Sequence, residues 1–160
     1  MRLTMIALFV VLVLNVSTFA QSKSIEGVWS LTEISSAAPD STPKQMSQPS
    51  MYLFTKKHYS IIYVTSDAPR PEMDDISKAT AEDLRKVFVD SFIANAGTYD
   101  LKAGKLTVRP MVAKSPGYMK AGTTATMSVK IDGNSMTLVS EGTSSGPAAV
   151  PTTYKLKRVE

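Results

Sequence analysis

Ile25-Glu26-Gly27-Val28-Trp29-Ser30-Leu31-Thr32-Glu33-Ile34-Ser35 alternates residue by residue. Trp29, Leu31 and Glu33 fall on one side, and Val28, Ser30, Thr32 and Ile34 on the other. Successive side chains of a β-strand point to opposite faces, so this period of two predicts a strand. The same signal recurs along the chain. Met51 to Phe54 and Tyr59 to Val64 are rich in aromatic and β-branched residues, and Thr55-Lys56-Lys57-His58 separates them as a hairpin turn. Thr98 to Leu101 and Lys105 to Met111 flank Lys102-Ala103-Gly104. Thr123 to Ile131 and Ser135 to Ser140 flank Asp132-Gly133-Asn134, the strongest hairpin signal in the sequence. Thr152 to Val159 is the last strand, and the Pro-, Ser- and Gly-rich stretches 36–50, 65–79, 113–122 and 142–151 read as loops.

One segment breaks the pattern. Leu84, Val87, Phe88 and Phe92 recur at helical spacing, with Arg85, Lys86 and Asp90 on the other side. Thr80 is placed to cap this helix, and Glu82 and Asp83 suit its positive end. The expected helix covers residues 80–95. Two placements are open to it: a lid over a barrel mouth, or packing on an outer wall.

Eight strands joined by hairpins favour antiparallel pairing. An open antiparallel sheet would leave two unpaired edges. Closure removes them, so the expected fold is all-β: an eight-stranded antiparallel up-and-down barrel, with one α-helix inserted between the third and fourth strands. A barrel of that size encloses room for one small ligand.

Residues 1–20 read as a cleavable signal peptide. Met1-Arg2 gives a positive start, Met5 to Leu14 is apolar, and Thr18-Phe19-Ala20 offers small residues before a cut preceding Gln21. The apolar run is too short to span a bilayer, which needs about 20 residues. The expected mature chain is a single domain, 21–160, secreted or periplasmic, without an integral membrane segment. The 160-residue chain has no cysteine, which excludes a disulfide framework, a thiolate metal site and a cysteine nucleophile. Its net charge of +4 is scattered rather than striped, so no nucleic-acid partner is expected. Asp67, Glu72, Asp74 and Asp75 cluster in a Pro-rich loop, but their spacing fits no EF-hand. No metal and no cofactor are expected.

Gly27-Val28-Trp29 near the mature N-terminus, with Arg158 on the last strand, resembles the Gly-x-Trp signature of lipocalins and the basic residue packed over its tryptophan. Tyr52-Leu53-Phe54-Thr55, Gly97-Thr98-Tyr99-Asp100 and Ile131-Asp132-Gly133-Asn134 resemble segments of the bacterial lipocalin-like domain proteins. The resemblance runs from Ile25 to Arg158. It implies an eight-stranded barrel that binds a small apolar molecule. The helix lies mid-chain here, whereas typical lipocalins carry theirs after the last strand.

The candidate ligand-binding residues are Trp29, Glu33, Tyr52, Phe54, Tyr59, Tyr63, Tyr99, Met127 and Arg158. Trp29 and Arg158 also read as a structural plug at the closed end. Tyr52 and Phe54 share a face, as do Tyr59, Ile61 and Tyr63; turned inward they give apolar walls with phenolic handles. They would serve equally as core. Met127, with Met136, Met111 and Met119, is a flexible gap-filler. Glu33 has the parity of Trp29, and inside the barrel it would need a partner such as Arg109 or Arg158. His58 reads as an exposed turn residue, since no nucleophile or orienting carboxylate accompanies it.

Three functions compete. The leading one is a secreted or periplasmic module that binds a small hydrophobic molecule in the barrel, not an enzyme. It requires a cavity of about 300 Å³ or more. The second is a filled-core interaction protein using its long loops. The third is a barrel isomerase or cyclase acting on a lipid-like substrate, for which Glu33, Arg109, Tyr99 and Tyr63 would have to converge.

Overall fold

Alternation and turn chemistry produce a barrel. The computed structural model describes residues 24–160, so the leader expected over residues 1–20 lies outside them. The strands are Gly27–Ser36 (β1), Lys44–Gln45 (β2), Ser50–Phe54 (β3), His58–Val64 (β4), Phe92–Lys102 (β5), Lys105–Ala113 (β6), Ala125–Asp132 (β7), Ser135–Thr143 (β8), Gly146–Pro147 (β9) and Thr152–Arg158 (β10). Eight of them pair antiparallel in the order β10-β1-β3-β4-β5-β6-β7-β8, and β8 then pairs with β10. That last ladder closes the sheet into the eight-stranded up-and-down barrel. Two short strands supplement it: β2 pairs with the upper part of β1, and β9 folds back on β8.

The inserted helix lies between β4 and β5, and it is shorter than its periodicity implied. Ala81–Leu84 (α1) starts on a capping box in which Thr80 and Asp83 satisfy each other's backbone N–H. It continues as a single wide turn over Arg85–Val89 and ends there. Phe92, Ile93, Ala94 and Asn95, expected in the helix, instead open β5 and pair with Val64, Tyr63, Ile62 and Ile61. A continuous ladder satisfies every backbone group of that run, which outweighs one further helical turn. Of the expected apolar stripe only Val87 is buried, while Phe88 is exposed. Phe92 sits between two cations, with Arg70 4.6 Å and Lys114 4.8 Å from its ring.

The core fills the closed half of the barrel. Trp29, Phe54, Tyr59, Leu106, Met136, Leu138 and Leu156 are fully buried there. Three bulges interrupt the ladders, between Leu31 and Glu33, Ala96 and Gly97, and Thr126 and Met127. Another irregularity is a short ladder: β6 and β7 pair only from Lys105 with Ser128 to Val108 with Ala125. Arg109 to Ala113 therefore run on beyond β7. Residues 114–124 bridge the gap, and a 3-10 turn, Pro116–Met119, carries Tyr118.

Gly97 makes its bulge possible. A Cβ there would lie 2.0 Å from the Arg109 carbonyl oxygen, a backbone atom that cannot swing aside. Gly97→Ala should therefore destabilise the protein by about 2 kcal/mol or more, through overpacking. The shift in the urea midpoint measures it, and an unchanged midpoint would show that the bulge relaxes freely.

Candidate functional site

Above the filled half the barrel is hollow. A cavity of about 350 Å³ opens there. Its walls come from alternate, inward residues of β3 to β8 and β10. Tyr52, Ile61, Tyr63, Ile93, Val108, Ala125, Met127 and Tyr154 provide most of the surface. Asn95, Thr126, Ser140 and Thr143 add polar groups. The rim is built from Tyr118 and from the Gly146-Pro147-Ala148 return of the β8–β10 connection.

Four phenols surround this space. The Tyr52 and Tyr63 rings stack with centroids 6.0 Å apart and planes 19° apart. Burial raises the Tyr52 and Tyr63 hydroxyls well above the usual phenol range and raises Tyr154 as well. The proximity of Tyr154 reinforces the shift at Tyr63. Tyr118 adds a smaller contribution to the shifts of Tyr63, Tyr154 and Tyr59. The Tyr59 hydroxyl, also raised by burial, is buried without a hydrogen-bond partner among the described residues.

The sequence-derived candidates separate into two groups. Tyr52, Tyr63 and Met127 line the cavity. Trp29, Phe54, Tyr59, Tyr99 and Arg158 belong to the closed half. Trp29 Nε1 donates to the Ile25 carbonyl at 2.8 Å. The Arg158 guanidinium lies 4.1 Å over the Trp29 ring and donates to the carbonyls of Glu26 at 2.6 Å and Ser24 at 2.7 Å. Phe54 meets Tyr99 edge-on with centroids 5.5 Å apart, and the Tyr99 hydroxyl donates to the Thr55 carbonyl at 2.6 Å.

Glu33 requires a correction. Strict alternation from Trp29 would turn it inward, but the bulge after Leu31 reverses the parity. Ile34 turns inward against the core instead. Glu33 stays on the outer face, 2.8 Å from Lys155 Nζ, and accepts a hydrogen bond from Gln45 Nε2 at 2.8 Å. Those hydrogen bonds, to Lys155 first, hold its carboxyl below the usual range. Arg109 is also spent outside the cavity, on Asp100 at 2.7 Å. The set Glu33, Arg109, Tyr99 and Tyr63 therefore does not converge. The helix, left open between lid and outer wall, supplies no residue to the cavity walls. In the acidic loop, Asp67 pairs with Lys44, and Asp75 pairs with Lys78 and caps Ser77. Among the described residues no group of His, Asp and Glu is placed to hold a metal ion.

Tyr154, Asn95, Ile93 and Tyr118 were not singled out from the sequence. Tyr154 had a signal, because it shares the parity of Leu156 and Arg158 on an alternating strand. Asn95 and Ile93 were hidden by the helical period assigned to them. Tyr118 lies in a loop, where no period exists to orient it.

The closed eight-stranded ladder, with Trp29 plugged by Arg158 at its floor, matches the architecture that Gly27-Val28-Trp29 implied. The fold is lipocalin-like. No family model matches the chain, and no curated protein matches it. Among solved structures it is similar to a lipocalin-like protein from Bacteroides uniformis, with 18% identity, a TM-score of 0.47, and coverage of 83% of this chain and 96% of that one. It is also similar to an uncharacterized protein from Bacteroides eggerthii, with 15% identity, a TM-score of 0.45, and coverage of 83% and 98%.

The raised phenols have a measurable consequence. Free phenols lose their protons near pH 10, the usual tyrosine value. In the folded barrel the buried tyrosines keep theirs, so above that pH the unfolded state binds fewer protons than the native state. Stability is then undisturbed below about pH 10 and falls as pH rises beyond it. Ultraviolet titration should show Tyr52, Tyr59 and Tyr63 still neutral at about pH 11 in folded protein and ionised in urea. Coincident titrations would contradict the burial.

Proposed function

We propose that this protein is a binding module that holds one small, largely apolar molecule in the upper half of its barrel. We further propose that residues 1–20 direct it to a secreted or periplasmic location as the single mature domain 21–160. The observation that carries the binding reading is the cavity of about 350 Å³ above a filled floor. That volume falls in the range of small-molecule sites, which are mainly apolar with a few placed polar groups. The lining groups suit holding rather than transforming a ligand. They are phenols, aliphatic hydroxyls and one amide, all neutral near pH 7. Proton transfer near neutral pH works best with a group whose pKa lies near that pH. Among the described residues no helix is long and apolar enough to cross a membrane.

Native mass spectrometry of protein 21–160, secreted by a bacterial host, tests the reading. An excess mass that disappears on organic extraction is expected, and it identifies the ligand class. A bare mass together with no displacement of an apolar fluorescent probe would overturn the proposal. A second check uses Ala125, a small side chain on the wall. Ala125→Phe should occupy part of the cavity and weaken probe binding about tenfold or more, while the melting temperature stays within a few degrees. The tenfold figure corresponds to about 1.4 kcal/mol.

A further inference from the structure

The cavity's polar inventory narrows what it accepts, an argument that rests on the binding reading above. None of the residues that line it is Lys, Arg, His, Asp or Glu. Nearby ions are engaged elsewhere. Arg109 pairs with Asp100, Lys105 with Glu141 and Lys155 with Glu33. Lys114 shares a shallow recess at the rim with Tyr118. Its ammonium, however, donates to the backbone carbonyls of Val89 and Phe92 and sits 4.8 Å over the Phe92 ring. An anion in the cavity would lose its hydration without meeting a counter-charge, which is costly.

Asn95 supplies the second observation. It stands opposite Ile61 in the β4–β5 ladder, and Ile61 is an inward core residue. Its side chain lines the cavity and makes no hydrogen bond to any described residue. Its polar neighbours are partly committed. Ser140 Oγ accepts from the Thr152 N–H at 2.7 Å, and Thr126 Oγ1 donates to the Gly142 carbonyl at 3.4 Å. A carboxamide carries both donors and an acceptor, so Asn95 offers the cavity a complete, uncommitted pair of neutral groups. Tyr52, Tyr63 and Tyr154 provide flat aromatic walls beside it.

We infer that the site selects an uncharged molecule with an aromatic or alicyclic body and one neutral polar group, a carboxamide, ketone or hydroxyl, which pairs with the Asn95 amide. The carboxylate analogue of the same skeleton is rejected. The body stacks against the tyrosine rings, and the polar group takes the place of water at Asn95. The surrounding phenols are neutral near pH 7, so they add neutral hydrogen bonds and no charge.

Three probes with one skeleton test this: naphthalene, 2-naphthamide and 2-naphthoate, titrated by fluorescence into mature protein near neutral pH. All three are compared on the native chain and on Asn95→Leu, with a thermal melt to establish that the variant is folded. Naphthalene should bind, 2-naphthamide should bind about tenfold or more tightly than naphthalene, and 2-naphthoate about tenfold or more weakly than 2-naphthamide. Asn95→Leu should abolish the preference for 2-naphthamide over naphthalene. Binding of 2-naphthoate as tightly as the amide, or an amide preference that survives Asn95→Leu, overturns the inference while the cavity still binds. Failure of all three probes on the native chain overturns the binding reading itself. Should Asn95→Leu not fold, the ranking of the three probes on the native chain decides.

Discussion

The stacking of Arg158 on Trp29 seals the floor of the barrel, and the packing above depends on it. The two residues face each other across the β1–β10 ladder, which is also where the first and last barrel strands meet. The contact is worth about 0.5–2 kcal/mol as a cation–π pair. Its topological effect is larger. By donating to the Glu26 and Ser24 carbonyls, the guanidinium also ties the segment before β1 across the floor. Trp29 is fully buried beneath it. With the floor closed and dry, the lower half can be packed solid. Hydrophobic stabilisation is then concentrated in that half, and the upper half is free to stay hollow.

The division between solid and hollow halves explains how the same residue type serves two ends. Tyr59 and Tyr99 pack near the floor; Tyr52, Tyr63 and Tyr154 stand around the void. All are inward, and all have phenols raised by burial. Height along the strand, not orientation, separates packing from potential contact. That coordinate depends on strand tilt and ladder offsets, which have no local signature in the sequence. Alternation put Tyr52 with Phe54 and Tyr59 with Tyr63 on shared faces, and in the barrel both faces turn inward. It carried no information on which of them would meet the cavity.

Where alternation misled, a bulge or a competing period was responsible. One extra residue after Leu31 turned Glu33 outward and Ile34 inward. The helical spacing of Leu84, Val87, Phe88 and Phe92 was genuine for one turn. Beyond Ser91, pairing with β4 proved stronger than the period. The hairpin turns were the most legible elements, because Asp132-Gly133-Asn134 and Lys102-Ala103-Gly104 state their geometry locally. Rim residues such as Tyr118 and Gly146 were the least legible. Their positions follow from where long loops land, which only the assembled barrel determines.

The short β6–β7 ladder leaves this closed barrel with a stretch of selvedge. Arg109 to Ala113 pair with β5 on one side and have no β7 residue on the other. Met111 and Val112 are 67% and 60% exposed on that stretch. An exposed, apolar strand edge is a template for pairing between molecules. Pro110 lies in its middle and lacks an N–H, so a foreign strand meets a break in the hydrogen-bond row. Arg109 beside it adds charge. The stretch of β6 beyond β7 thus carries residues that discourage strand-by-strand self-association.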